Sequence, residues 1–216
     1  MTTTDQKVHW NEIHSKGSML KYANNPTKFA QEVVDSFPPN SKVLELGCGS
    51  GNDSVFFAQK GHPTVGSDFS DVAVKQNASK YKDESNLKFQ VVDMTQPFPF
   101  GNATFDVVYA RLSLHYFEDL VTKKVFNEIY RVLKPGGLIC FVCKSVEDPL
   151  YGQGEEIEKD MFLREGHVRH FFSEDYAREC LGAEFTLEKI ESGKEIFYGD
   201  ESGFVKVIAK KAYASN

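Results

Sequence analysis

Cysteine is scarce: Cys48, Cys140, Cys143 and Cys180 are the only four in 216 residues, and they are scattered. That is too few for the disulfide framework of a small secreted domain. Cys140 and Cys143 have zinc-like spacing, but they lie inside the apolar run LICFVC, which reads as a buried strand. Residues three apart on a strand face opposite sides, so the two thiols do not converge, and no metal site is expected. Basic runs are also missing. Lys and Arg number 25 against 31 Asp and Glu, for a net charge of -6. A nucleic-acid partner usually demands a basic face, so none is expected. No apolar stretch approaches the length of a membrane span, and MTTTDQKVHW has neither the basic start nor the apolar run of a secretory leader. No membrane association is expected, and a reducing, cytoplasmic compartment is the default. Repeats and low-complexity segments are lacking too.

What remains is an ordinary globular composition, 41% apolar and 26% charged, with length for one sizeable core. From Lys42 onward, short apolar runs alternate with longer amphipathic ones. Strands are expected at Lys42–Leu46, Thr64–Asp68, Leu87–Val92, Phe105–Tyr109 and Gly137–Val142. Helices are expected at Asp53–Lys60, at Val72–Lys82 behind Ser70 as N-cap, and at Asp119–Leu133, which LKPGG stops. This alternation implies an α/β fold with a mostly parallel sheet and helices on both faces. Two further runs, Phe185–Ile190 and Phe204–Lys210, are joined only by the polar stretch SGKEIFYGDESG, which favours an antiparallel pair at one edge. The whole chain, 1–216, reads as one domain. Residues 1–36 form an N-terminal cap segment, and residues 144–172 a long insert that leaves the carboxyl edge of the sheet, where a lid belongs.

The loop after the first strand is Gly47-Cys48-Gly49-Ser50-Gly51. Glycines let the backbone turn tightly and approach a ligand, with a helix N-terminus just behind. Dinucleotide sites use nearly the same device, so the flanking charge decides. Glu45 before the loop and Asp53 after it would repel a pyrophosphate and attract a cation. S-adenosylmethionine (SAM), with a sulfonium, an ammonium and no phosphate, fits that charge. Asp68 ends the second strand, about 20 residues beyond the loop, where a carboxylate accepts from ribose hydroxyls. Asp93 and Met94 end the third, suited to the adenine amino group and ring, with Phe69 as the apolar partner on the ring's other side.

The segments ELGCGSG, VGSDFS, VVDMTQPFPF, FDVVYARLSLHYF and RVLKPGGL resemble, in order, the motifs of class I SAM-dependent methyltransferases. The resemblance implies a Rossmann-like seven-stranded sheet with a reversed last strand. It also implies Gly47, Gly49 and Gly51 against the methionine part, Asp68 on the ribose, and Asp93 with Met94 at the adenine. The expected cofactor set is therefore Glu45, Gly47, Cys48, Gly49, Gly51, Asp53, Asp68, Phe69, Ser70, Asp93, Met94, Ala110 and Arg111, with S-adenosylhomocysteine (SAH) as product. By size and cap segment the chain resembles the small enzymes that methylate small molecules and, more loosely, the tellurite-resistance methyltransferases.

Methyl transfer needs an aligned nucleophile, exclusion of water and, for a protonated acceptor, a base. Arg111 to His115 follow the fourth strand and should face the methyl group. Their sequence, ARLSLHY, has neither the Asn/Asp-Pro-Pro-aromatic pattern of amino-nitrogen methyltransferases nor a Pro-Cys nucleophile. His115 is a candidate base, because imidazole titrates near neutrality, or alternatively a cap on its loop. In the insert, His167, Arg169 and His170 cluster before Phe171 and Phe172, which are expected to anchor it. If extended, that stretch puts His167 and Arg169 on one face and His170 on the other, suiting an anionic acceptor. Trp10 and Tyr22 are aromatic candidates to close over the sulfonium. The expected activity is methyl transfer to a small-molecule acceptor. A protein methyltransferase and a SAM-binding regulator without turnover are the alternatives.

Overall fold

The computed structural model describes residues 3–16 and 25–213. Each short apolar run becomes a strand, and the strands assemble in the order β3-β2-β1-β4-β5-β10-β9. The first five are β1 (Val43–Leu46), β2 (Thr64–Asp68), β3 (Leu87–Val91), β4 (Phe105–Arg111) and β5 (Leu133–Lys144), all parallel. The last strand, β10 (Asp200–Lys211), runs antiparallel between β5 and β9 (Phe185–Phe197). This is the expected mostly parallel sheet with one reversed strand.

Helices cover both faces because neighbouring strand residues point oppositely. Val108, Ala110, Ile139 and Phe141 join one core with α5 (Asp119–Val132) and α6 (Glu174–Leu181). Val107, Tyr109, Cys140 and Val142 join the other with α2 (Lys28–Val33) and Phe57 of α3 (Asn52–Gln59). Cys140 and Cys143 fall in different cores, as alternation requires. On α5 the buried stripe Val125, Phe126, Ile129 and Val132 has helical spacing, and each side chain contributes roughly 1.5–3 kcal/mol. Ser70 accepts from the Ala73 N–H and caps α4 (Asp71–Lys80), while Ser173 accepts from the Tyr176 N–H and caps α6.

Three expectations need correction. LKPGG does not separate helix from strand. Leu133 already pairs with Phe105, and the ladder shifts register before resuming at Leu138 and Val107, with Gly136 at positive φ absorbing the bend. The stretch SGKEIFYGDESG is not a loop. It is continuous hairpin, closed by the two-residue turn Tyr198-Gly199, whose φ angles of 56° and 95° suit the twist of paired strands. The insert is not a loop either, but a small antiparallel sheet of β6 (Glu155–Glu158), β7 (Met161–Arg164) and β8 (His167–His170). Buried Phe171 and Phe172 pin it, as expected. Backbone bonds from His170 N–H to the His115 carbonyl (2.9 Å) and from Phe172 N–H to the Lys144 carbonyl (2.8 Å) tie it to the ends of β4 and β5.

Candidate active site

The sheet order reverses at β1, whose neighbours β2 and β4 lead the chain in opposite directions across the sheet. Open α/β sheets hold ligands outside the carboxyl ends of strands at such a point. A cavity of about 620 Å³ lies there, in the ordinary range for ligand pockets. Its inner end is lined by Gly47, Gly49, Asp68, Phe69, Asp93 and Met94, together with Thr95 and Ser113. The outer end is lined by Arg111, His115, Tyr116, Lys144, His167 and Arg169, and by the hairpin tip around Tyr198. Helix α1 (Thr3–Ser15) covers it with His9, Trp10, Ile13 and His14.

The glycine loop is held by its own backbone and by Asp68. The Cys48 N–H donates to the Ser67 carbonyl (2.8 Å), and one Asp68 oxygen accepts from the Gly49 N–H (2.9 Å). The other oxygen accepts from the Ser70 N–H (2.9 Å). Gly47 has φ of 74°, and a Cβ there would sit 2.4 Å from the Ser113 Cβ. At Gly49 a Cβ would meet nothing nearer than His14 at 3.9 Å, which leaves room for a ligand against the backbone. Asp93 accepts from the N–H and hydroxyl of Thr95 (2.9 and 2.7 Å), which fixes its carboxylate beside Met94 at the cavity wall.

Several expected cofactor residues do not reach the cavity. Glu45 is buried and bonded to the Ser54 hydroxyl. Burial, and then the neighbouring Asp53, push its carboxyl well above the usual range. Asp53 turns away as well. It accepts from the Thr27 N–H, the Thr27 hydroxyl and the Tyr109 hydroxyl, each at 2.7 Å, and so ties the start of α2 to β4. Gly51 begins α3 at φ of 75°, packed against Asn77 and Phe89. Cys48 is buried beside Asn77, and Ala110 lies in the core. Ser70 caps α4 and donates to Asn11 of α1 (2.6 Å), which makes it a tether for the covering helix.

His115, His167 and Arg169 meet at the outer end, as β8 extends and puts His167 and Arg169 on the cavity side. His170 faces the other way, buried against Phe172 and Tyr176. His115 is fully buried, and neither ring nitrogen has a hydrogen-bond partner among the described residues. Burial, followed by the charge of Arg169, holds its imidazole well below the ordinary 6.5. His167 is lowered by burial and by His9, whose ring lies 3.8 Å away. Trp10 meets Tyr116 edge-on at 5.1 Å; Tyr22 lies outside the described residues. Arg111 donates to the Tyr198 hydroxyl (3.1 Å) and lies over the Phe197 ring. Sequence reasoning missed Lys144, Asp148, Tyr198 and Ser202. Lys144 donates to Asp148 (2.6 Å) and to Ser202 (3.0 Å), a contact between β5 and β10 that only the strand register discloses.

Residues 43–137 match the family described as a methyltransferase domain. An uncharacterized methyltransferase of Synechocystis is 34% identical over 104 residues, 48% of this chain and 47% of that protein. Phosphoethanolamine N-methyltransferase 1 of Arabidopsis thaliana is 28% identical over 194 residues, 87% of this chain and 38% of that protein. The chain thus spans less than half of the length of these curated relatives. Among solved structures, the 1,6-didemethyltoxoflavin-N1-methyltransferase of Burkholderia thailandensis, with its acceptor and SAH bound, superposes with a TM-score of 0.74. It shares 16% identity, covering 96% of this chain and 88% of that one. Over residues 43–137 the motifs and the family match agree on a methyltransferase domain, and the fold is that of SAM-dependent methyltransferases, for which SAM is the cofactor. The open space at Gly49 and the acids Asp68 and Asp93 fit that group.

Proposed function

We propose that the chain transfers the methyl group of SAM to a small-molecule acceptor in the outer half of the cavity. One observation carries this reading: the glycine-loop residues and the His115–Arg169 group line a single continuous space. Bound SAM supplies an electrophilic methyl group on a sulfonium. The chain's part is to orient and to exclude water. Gly47, Gly49, Asp68 and Asp93 hold the cofactor at the strand ends, while α1, β8 and the hairpin tip roof the acceptor. In-line attack needs the acceptor atom close to the methyl carbon, and effective concentration in a closed site supplies much of the acceleration. Where the acceptor atom carries a proton, His115 and His167 are the imidazoles on the outer wall to receive it.

The roofed cavity favours a small molecule over a protein acceptor, which needs an open groove. The activities of one relative, on phosphoethanolamine, and of one structural neighbour, on 1,6-didemethyltoxoflavin, support the same class. The test is a SAM-consumption screen over amines, thiols, phenols, carboxylates and metalloid oxyanions. Consumption with one class establishes the transferase. SAH binding without consumption of SAM by any class points to a regulator instead.

A further inference from the structure

We infer, on the reading that this cavity is the methyl-transfer site, that Arg169 and His115 form a subsite for an anionic group of the acceptor, a carboxylate or a phosphate. Arg169 lines the main cavity and also a second one of about 220 Å³. Among the described residues no carboxylate lies within salt-bridge distance of it, and its buried Nε has no hydrogen-bond partner. Beside it, His115 is fully buried with both ring nitrogens unmatched.

The other charges along the outer end have partners or face solvent: Arg111 donates to the Tyr198 hydroxyl and lies over the Phe197 ring. Lys144 is held by Asp148 and Ser202. Glu165 lies 3.5 Å from Arg164, and Glu201 lies 3.2 Å from Lys194. Asp200 is exposed at the hairpin tip. Buried polar groups are nearly always satisfied, and leaving one unmet is costly, so the Arg169 Nε–H, beyond the guanidinium's bond with Tyr116, and the single N–H of a neutral His115 mark donors for a ligand's acceptors. A planar guanidinium matches the paired oxygens of a carboxylate or phosphate. An uncharged acceptor would leave that cation unpaired, and an ammonium group would be repelled there.

The test titrates the SAH-saturated protein with inorganic phosphate and, separately, with acetate, by calorimetry at constant ionic strength. Saturable binding of either anion is expected, with the stronger one naming the class. Arg169→Gln should weaken it roughly 10- to 100-fold, the loss of hydrogen bonds to a charged group. Arg169→Lys, which keeps the charge without the fork, should fall between and guards against a misfolded glutamine variant. SAH affinity should be the same in all three proteins. Absence of saturable anion binding, or equal binding in Arg169→Gln and the parent, overturns the subsite. A drop in SAH affinity in Arg169→Gln also overturns it, because the anion is then the cofactor's own carboxylate. Failure of the parent protein to bind SAH would instead sink the underlying methyl-transfer reading.

Discussion

The two ends of the cavity are built differently. The inner end comes from consecutive strand ends: the loop after β1, Asp68 at the end of β2, and Asp93 just beyond β3. The outer end is gathered from α1, the segment after β4, β8 and the tip of the β9–β10 hairpin, elements far apart in the chain. A site made of strand ends is fixed by the sheet itself. One made of appended elements is fixed by a few tethers, such as His170 to His115 and Ser70 to Asn11. On the proposed reading, the sheet-built inner end holds the cofactor and the tethered outer end specifies the acceptor.

The sharpest break between the ends should come from turnover. His115→Ala and Arg169→Ala should each lower turnover on the identified acceptor by about 10- to 10⁴-fold, the span for losing proton transfer or charge stabilisation. His170→Ala faces the core, so it should lower thermal stability and leave turnover of the folded fraction nearly unchanged. Equal turnover losses in all three would erase the distinction between the faces of β8. A smaller effect is expected from Gly47→Ala. Its positive φ and the 2.4 Å approach to Ser113 should cost about 1–3 kcal/mol of strain, read as a lower denaturation midpoint together with weaker SAH binding. Asp53→Ala should also destabilise, by about 1–3 kcal/mol, as it strands Thr27 and Tyr109. SAH affinity measured on the folded Asp53→Ala protein should hardly change, whereas a large loss would restore Asp53 to the cofactor.

These contrasts track what the sequence disclosed. Asp68, Phe69, Asp93 and Met94 were legible because each sits at a strand's carboxyl end, and hydrophobic runs locate strand ends well. Glu45 and Asp53, expected at the cofactor on the same nearness, do not line the cavity. Adjacency to the loop suggested a shared ligand, but side-chain direction sends one to Ser54 and the other to Thr27 and Tyr109. The antiparallel edge pair was legible, but its outer half was hidden by glycines and charges, although Tyr198-Gly199 between alternating residues was a two-residue turn signal. Lys144 with Ser202 was beyond reach, because it depends on how β10 registers against β5.

The smallest expected effect is on stability against pH. His115 and His170 are both held below the ordinary 6.5 by burial. Each binds a proton more readily unfolded than folded, so its contribution is whole above 6.5 and is lost as pH falls toward the depressed folded value. Glu45 acts oppositely: with its carboxyl raised by burial, it adds stability on the acid side and loses it as pH rises through its raised value. Comparing parent and His115→Asn removes that background. The thermal midpoint of the variant should fall less than the parent's between pH 7 and pH 5, and parallel curves would mean His115 is not held neutral by the fold.

Separation of the two ends is tested most directly by SAH calorimetry on Asp68→Ala and Arg169→Ala side by side. Asp68→Ala should weaken SAH by about 1.5–3 kcal/mol, the worth of hydrogen bonds to a charged group, while Arg169→Ala should match the parent. If Arg169→Ala weakens SAH as much as Asp68→Ala, or Asp68→Ala leaves it unchanged, the division into cofactor end and acceptor end is wrong.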